Sequence, residues 1–259
     1  MKRCFKIWLL MTSNSFQTIL ASRLGVLIFV FGKLFRIILY LLFVYFLFGN
    51  TKEIAGYDQN HALLFLLTYT LLGSIGQMLF REVYRFRPRV ISGDFDFDLT
   101  KPVNPLLRNM AGGFDLLDLI TMPIIIFLLT KVIITFNFGL INFILYLLLS
   151  INGLLIIGAI HIFILGFGII TTEVDHAVMV YRDIETTGRF PVDIYKDPLK
   201  QILTFVVPIG IMFTIPVKVL LGLISWEWIV LSLGIGSLIS ILSLKFWNYS
   251  IKKYSSASS

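Results

Sequence analysis

Six apolar stretches, at residues 24–48, 62–80, 114–136, 139–170, 201–224 and 226–247, set the terms for this chain. Each is close to or above the roughly 18–20 residues that carry a helix across the hydrocarbon core of a bilayer. Within lipid the backbone must satisfy its own hydrogen bonds, which makes such stretches helical. Of the 259 residues, 57% are hydrophobic and only 14% charged, a balance outside the range of soluble globular domains. The chain reads as all-α, a polytopic integral membrane protein forming a single transmembrane domain over residues 1–259. No part of it is large enough to fold alone in water.

The formal charge of +7 points to membrane orientation and gives no reason to expect a nucleic-acid partner. Lys2, Arg3, Lys6 and Arg23 precede the first stretch. Arg81, Arg85, Arg87, Arg89, Lys101 and Arg108 follow the second, and Lys245, Lys252 and Lys253 close the chain. Between the first two stretches Lys52 is offset by Glu53 and Asp58. By the positive-inside rule both termini and the 81–108 loop are expected on the cytoplasmic side. One cysteine, Cys4, excludes a disulfide framework and a thiolate metal site. The basic start leads into no short apolar run with a small-residue cleavage site, so no cleaved leader is expected. Phe5, Trp8, Leu9, Thr12, Phe16, Ile19 and Leu20 recur at near-helical spacing between polar residues, which predicts an interfacial helix over 1–20.

Lys33 and Arg36 fall inside the first stretch, three residues apart and therefore on one helix face. Either the span is shifted so that both snorkel to the surface, or they face a cavity or a partner at membrane depth. In the 81–108 loop, Pro88 and Gly93 are expected to break the helix leaving the second span. Asp94, Phe95, Asp98 and Leu99 predict a short amphipathic turn, with the acids on one side and the apolar pair on the other. Lys101-Pro102 should stop it, and Asn104-Pro105 reads as a cap with proline at the first helical position. A mere connector would leave Phe95, Phe97 and Leu99 exposed to no purpose.

Chemistry on a covalent bond finds little support. Glu173 and His176 have the Glu-x-x-His spacing of carboxylate-bridged metal sites, but no second copy occurs. His61, His161 and His176 are scattered, without the zinc-binding H-E-x-x-H; His161, on an apolar helix, is expected to bond a neighbouring backbone group. No serine sits in G-x-S-x-G, and no P-loop is present. Gly153, Gly158, Gly166 and Gly168 suit close helix packing in the fourth stretch. Asp115 and Asp118 suit the positive end of the third span's helix dipole.

Two segments carry a resemblance. Gly93, Asp96, Leu99, Lys101, Pro102, Asn104, Pro105 and Leu106 resemble the loop after the second span in membrane subunits of ABC exporters of type-2 architecture, in a bacterial branch of export permeases. Downstream, Arg189, Phe190, Pro191, Leu199, Lys200, Pro208 and Pro216 are similar to a second signature of that branch, with Phe190 and Val217 as mild departures. The resemblance implies six transmembrane helices with an N-terminal interfacial helix and a cytoplasmic coupling helix between the second and third. The coupling residues would be Gly93, Asp94, Phe95, Asp96, Phe97, Asp98, Leu99, Lys101 and Pro102. It also implies a bacterial inner-membrane location, dimerisation with a second permease subunit (a homo- or heterodimer), and an ABC ATP-binding subunit that holds ATP and Mg. This chain itself would then carry no cofactor and no catalytic residue.

The fifth span stays open. Hydropathy makes 201–224 the span; the resemblance puts it at about 173–190 and makes 191–224 a re-entrant outer lid. The second scheme places Asp175, Arg182 and Glu185 at membrane depth, where Arg182 and Glu185 could pair. Lys33, Arg36, Asp175, Arg182, Glu185, Arg189, Pro191, Pro208 and Pro216 are then pathway or lid candidates. The competing reading is a stand-alone membrane-embedded enzyme or assembly factor with a polar site at residues 173–185.

Overall fold

The computed structural model describes residues 2–49, 51–115 and 117–255. Among these, β structure is confined to one isolated bridge between Ile54 and Tyr57. Helix α1 (Lys2–Leu20) is followed by α2 (Arg23–Gly49) and α3 (Gln59–Leu79). The polar loop then folds as a 3-10 turn (Arg81–Arg85) and three short helices, α4 (Phe86–Ile91), α5 (Asp94–Thr100) and α6 (Pro105–Ala111). Helices α7 (Asp118–Ile133) and α8 (Leu140–Thr171) precede α9 (Val174–Glu185). A bent hairpin contains α10 (Leu199–Gln201) and α11 (Ile215–Leu220), and α12 (Trp226–Lys253) ends the fold.

Four helices, α2, α3, α8 and α12, are long and apolar enough to cross a membrane. A fifth segment of that length and hydropathy arises only if 199–206 and 210–220 are joined as one, yet they meet at 77°. The six stretches expected from sequence therefore do not all become long helices. The third begins late: Gly112 and Gly113 are buried, and the Asp115 carboxylate accepts from the Leu117 amide at 3.2 Å, so α7 starts only at Asp118 and has 16 residues. The fifth is broken around Pro208, flanked by turns with i→i+5 bonding at Ile202–Val206 and Gly210–Thr214. Pro216 comes just after the Gly210–Thr214 turn, and the chain runs on helically through it.

Helix α8 is the axis of the bundle. Lipid offers no hydrophobic drive between helices, so close backbone approach must supply the packing. The glycines of α8 do this. A Cβ on Gly153 would stand 2.7 Å from the Met212 carbonyl oxygen, and one on Gly166 2.8 Å from the Phe246 ring. On Gly168 it would collide with Val174 Cγ2. The expected role of these glycines is what the packing shows. Asn152 answers from the polar side, donating to the Ser232 carbonyl of α12 at 2.9 Å.

The periphery is different. In α2 only Ile37 and Val44 are buried, so most of its surface is left for lipid or another chain. Helix α1 lies against the start of α7's lead-in: Trp8 packs edge-on to Phe114 at 5.1 Å. Leu9, Leu10, Phe16 and Leu20 remain exposed, the pattern of a helix lying in a bilayer surface. The side chains of Lys2, Arg3, Cys4, Phe5 and Ile19 lie outside those described.

Candidate functional site

The 81–111 loop is built around one carboxylate. Asp98 is completely buried and takes a hydrogen bond from Arg89. Arg108 Nε stands 2.6 Å from its other oxygen, close but off the hydrogen-bonding angle, and Lys101 lies 3.8 Å away. Arg89 also donates to Asn109 Oδ1 at 2.9 Å, while Asn109 donates to the Pro105 carbonyl at 2.9 Å. Helices α4, α5 and α6 are thus tied through one charge. A buried ion pair broken on one side costs about 3–5 kcal/mol, so this clamp holds only as a whole.

The apolar half of the clamp is Phe95, which has no exposed surface. Its ring is met edge-on by Phe86 at 5.2 Å and Tyr254 at 5.1 Å, with Trp247 at 6.4 Å. Helix α5 is thereby fixed to α4 and to the end of α12. Burial and the neighbouring Asp96 carboxylate push the Tyr254 hydroxyl up to about 12. This corrects the expected face of α5: Asp98 shares the buried side with Phe95, and Leu99 is half-buried beside them. Asp94, Phe97, Lys101 and Pro102 face outward, Phe97 with 63% exposure.

Other local expectations hold. Gly93 takes φ +79°, a left-handed value that only glycine adopts without strain, and it starts α5. Lys101 is extended before Pro102, which ends the helix. Asn104 caps α6, its side chain accepting from the Leu106 amide at 2.9 Å with Pro105 behind it. Pro88 breaks nothing: it lies in the first turn of α4, and the break falls earlier, at the 3-10 turn.

The loop's basic residues are almost all engaged. Besides the Asp98 group, Arg85 and Arg89 each approach Glu82 at 3.6 Å. Burial pushes the Glu82 carboxyl up, against the pull of those arginines. Arg87 reaches Asp175 at 3.6 Å, and Arg81 reaches the buried Asp115 at 3.6 Å. Three residues on, buried Asp118 pairs with Lys33 of α2. Ion pairs therefore tie α5 to the 3-10 turn through Arg89 and Glu82, that turn to the head of α7 through Arg81 and Asp115, and α7 to α2 through Asp118 and Lys33. Lys33 does not snorkel, and the two aspartates do more than begin a helix.

A second cluster lies along α2, α3 and α9. Arg36, Arg182, Glu185 and Arg189 line a cavity of about 260 Å³ with Tyr40 and Tyr69. Glu185 is buried against Gly73 of α3, where a Cβ would stand 3.4 Å from its oxygen. Arg189 lies over the Tyr40 ring at 4.7 Å. No direct ion pair between Arg182 and Glu185 forms among the described residues; three guanidinium groups surround the carboxylate instead. Glu173, Asp175 and His176 sit at the opposite end of α9, with His176 paired to Glu173 at 2.9 Å and largely exposed. The polar residues of 173–185 thus form two separate groups, which removes the single site on which the enzyme reading depended. His161 is buried with Nδ1 2.8 Å from the Ile157 carbonyl oxygen, as its setting suggested.

Pro191 and Pro208 are buried at the two ends of the bent hairpin's first arm. That hairpin has a charge centre that sequence reading missed. Asp193 accepts from Tyr57 at 3.0 Å and Lys218 at 2.8 Å, and pairs with Lys200 at 2.9 Å. Burial raises its carboxyl, but the two ammonium groups and the tyrosine outweigh burial and hold it below the usual carboxylate range. Its signal was faint: an acid flanked by Lys196 and Lys200 in an otherwise apolar region.

A bundle of membrane-length helices with one structured polar loop and an arginine-lined pocket has the parts of a multi-pass transport protein. The family model described as ABC-2 family transporter protein matches residues 34–258, and the chain belongs to that family. It is a membrane permease of an ABC transporter; α1 and the start of α2 precede the matched segment. No curated protein and no solved structure matches the chain.

Proposed function

We propose that this permease is the membrane half of an ATP-driven exporter, paired with a second permease and driven by separate ATP-binding subunits that grip α5 from the cytoplasm. The observation that carries the reading is the contrast between Phe95 and Phe97. One ring is locked inside, and the other stands out on a helix too firmly braced to move alone. An exposed aromatic on a rigid helix is what a partner pocket uses as an anchor. Force on α5 would pass through Asp98 and Arg89 to the 3-10 turn, then through Asp115 and Asp118 to α2.

In this reading α9 and the turn Thr186–Arg189 form the fifth crossing. Their 12 and 4 residues reach roughly 26 Å together, close to the roughly 30 Å hydrocarbon thickness. The hairpin over 191–224 then returns from the outer leaflet as a lid, and α7 supplies the third of six crossings. Broken helical backbone at that depth is supported when it is covered by protein, as it is from Pro208 to Val217. Arg36, Arg182, Glu185 and Arg189 line the pathway below the lid. The chain resides in a bacterial plasma membrane with both termini inside.

The test is co-purification of the full chain with its ATP-binding subunit. Phe97→Asp releases the subunit while the permease stays folded, and Phe97→Cys is labelled only from the cytoplasmic side. Labelling of that cysteine from outside would overturn the proposal.

A further inference from the structure

The arginine cavity does not end at its polar wall. Tyr40 and Arg189 also border an apolar cavity of about 610 Å³, lined by Leu39, Leu42, Phe43 and Phe46 of α2 with Leu66 and Phe190. Phe190 in turn borders a third, almost purely apolar cavity of about 230 Å³ towards Pro191 and Ile194. The three lie end to end along α2. One end presents Arg36, Arg182 and Arg189 against Asp183 and Glu185, an excess of positive charge; the rest presents aromatic and aliphatic side chains.

An ordinary lipid-facing groove has no reason to close on three guanidinium groups, because uncompensated charge at membrane depth is costly. The Arg189 fork is fixed, stacked on Tyr40, with its buried Nε lacking a partner. Guanidinium groups match carboxylate and phosphate oxygens with paired hydrogen bonds. An apolar chain leaving such a headgroup would find the adjoining groove directly in line.

We infer that these joined cavities form a binding site for an anionic amphiphile, its phosphate or carboxylate head held by Arg36, Arg182 and Arg189 and its hydrocarbon tail laid along α2 towards Phe190. That the ligand is the exported cargo rests on the permease reading. Binding itself requires neither the ATPase nor a second permease.

The experiment uses the purified full chain in the neutral detergent dodecyl maltoside, with ligand occupancy read by native mass spectrometry. Dodecyl phosphate is the probe, dodecyltrimethylammonium the charge-reversed control and inorganic phosphate the tail-less control. Dodecyl phosphate should bind, and Arg36→Gln and Arg182→Gln should each weaken it about tenfold, the scale of one charge-assisted hydrogen bond. Phe43→Asp should abolish it, and inorganic phosphate should bind more than about a hundredfold more weakly, given the contribution of each buried methylene. Both arginines are exposed at the cavity mouth, and circular dichroism checks that the variants keep their helices. Equal binding of the cationic amphiphile, equal binding of inorganic phosphate, or indifference to both arginine changes would overturn the inference. A chain that binds dodecyl phosphate yet never recruits an ATPase would sink the cargo role and leave the site standing.

Discussion

Two regions of this protein, the 81–111 loop and the 191–220 hairpin, are each organised around one aspartate, and they differ in how it is held. Asp98 is sealed from solvent, takes two arginines and sits beside an aromatic clamp. Asp193 keeps some exposure and takes two lysines and a tyrosine. Arginine forks are planar and preorganised, whereas lysine ammonium groups are mobile point charges on flexible stems. The loop is therefore a rigid block, suited to receiving force. In the proposed reading the hairpin is a latch, held by contacts that can be released one at a time.

The comparison breaks most severely at Asp98. Asp98→Ala should strand Arg89 and Arg108 in a buried setting and destabilise the chain by about 3–5 kcal/mol, read as loss of folded protein in a thermal-stability assay. If its effect is no larger than that of Asp193→Asn, the rigid-block distinction is lost. Next comes Phe97→Asp, which should cut affinity for the ATP-binding subunit by about 2 kcal/mol, the scale of an interface anchor. Thermal stability of the isolated chain should stay unchanged, which separates it from Phe95→Asp.

The latch should respond more mildly. Asp193→Asn is expected to cost about 1.5–2 kcal/mol, the low end for hydrogen bonds to charged groups, and to expose a cysteine placed at the buried Val192 to an impermeant thiol reagent. Because the Asp193 carboxyl is held below its ordinary value, its contribution is present above about pH 4 and fades as pH falls through the folded-state value. The ratio of labelling with Asp193 present to labelling in Asp193→Asn should therefore rise towards one as pH falls, the loss of thiolate being common to both. The smallest effect belongs to Arg87→Ala. The Arg87–Asp175 pair is largely exposed and should contribute under about 0.5 kcal/mol.

Much of the loop was legible in order along the chain, because the rules that shape it act within a few residues. Gly93, Lys101-Pro102 and Asn104-Pro105 punctuate the backbone as their local chemistry dictates. The burial of Phe95 was not legible, since it depends on Trp247 and Tyr254 arriving from the far end of the chain. The Lys33–Asp118 pair has the same character, its members being 85 residues apart. Phe95 and Phe97 are chemically identical and two positions apart; only the neighbours of the folded helix decide which is buried and which faces outward.

The sequence by itself determined that the chain is a helical membrane protein, because hydrocarbon admits no other backbone for apolar runs of this length. It also marked where polar structure interrupts those runs. Tertiary packing alone decided which charges became partners and which of two phenylalanines faces outward. It also decided that the apolar run at 201–224 would bend by 77° instead of forming one straight helix. Periodicity and turn chemistry are local, whereas desolvation and charge pairing depend on which segments meet, and that is a property of the assembled bundle.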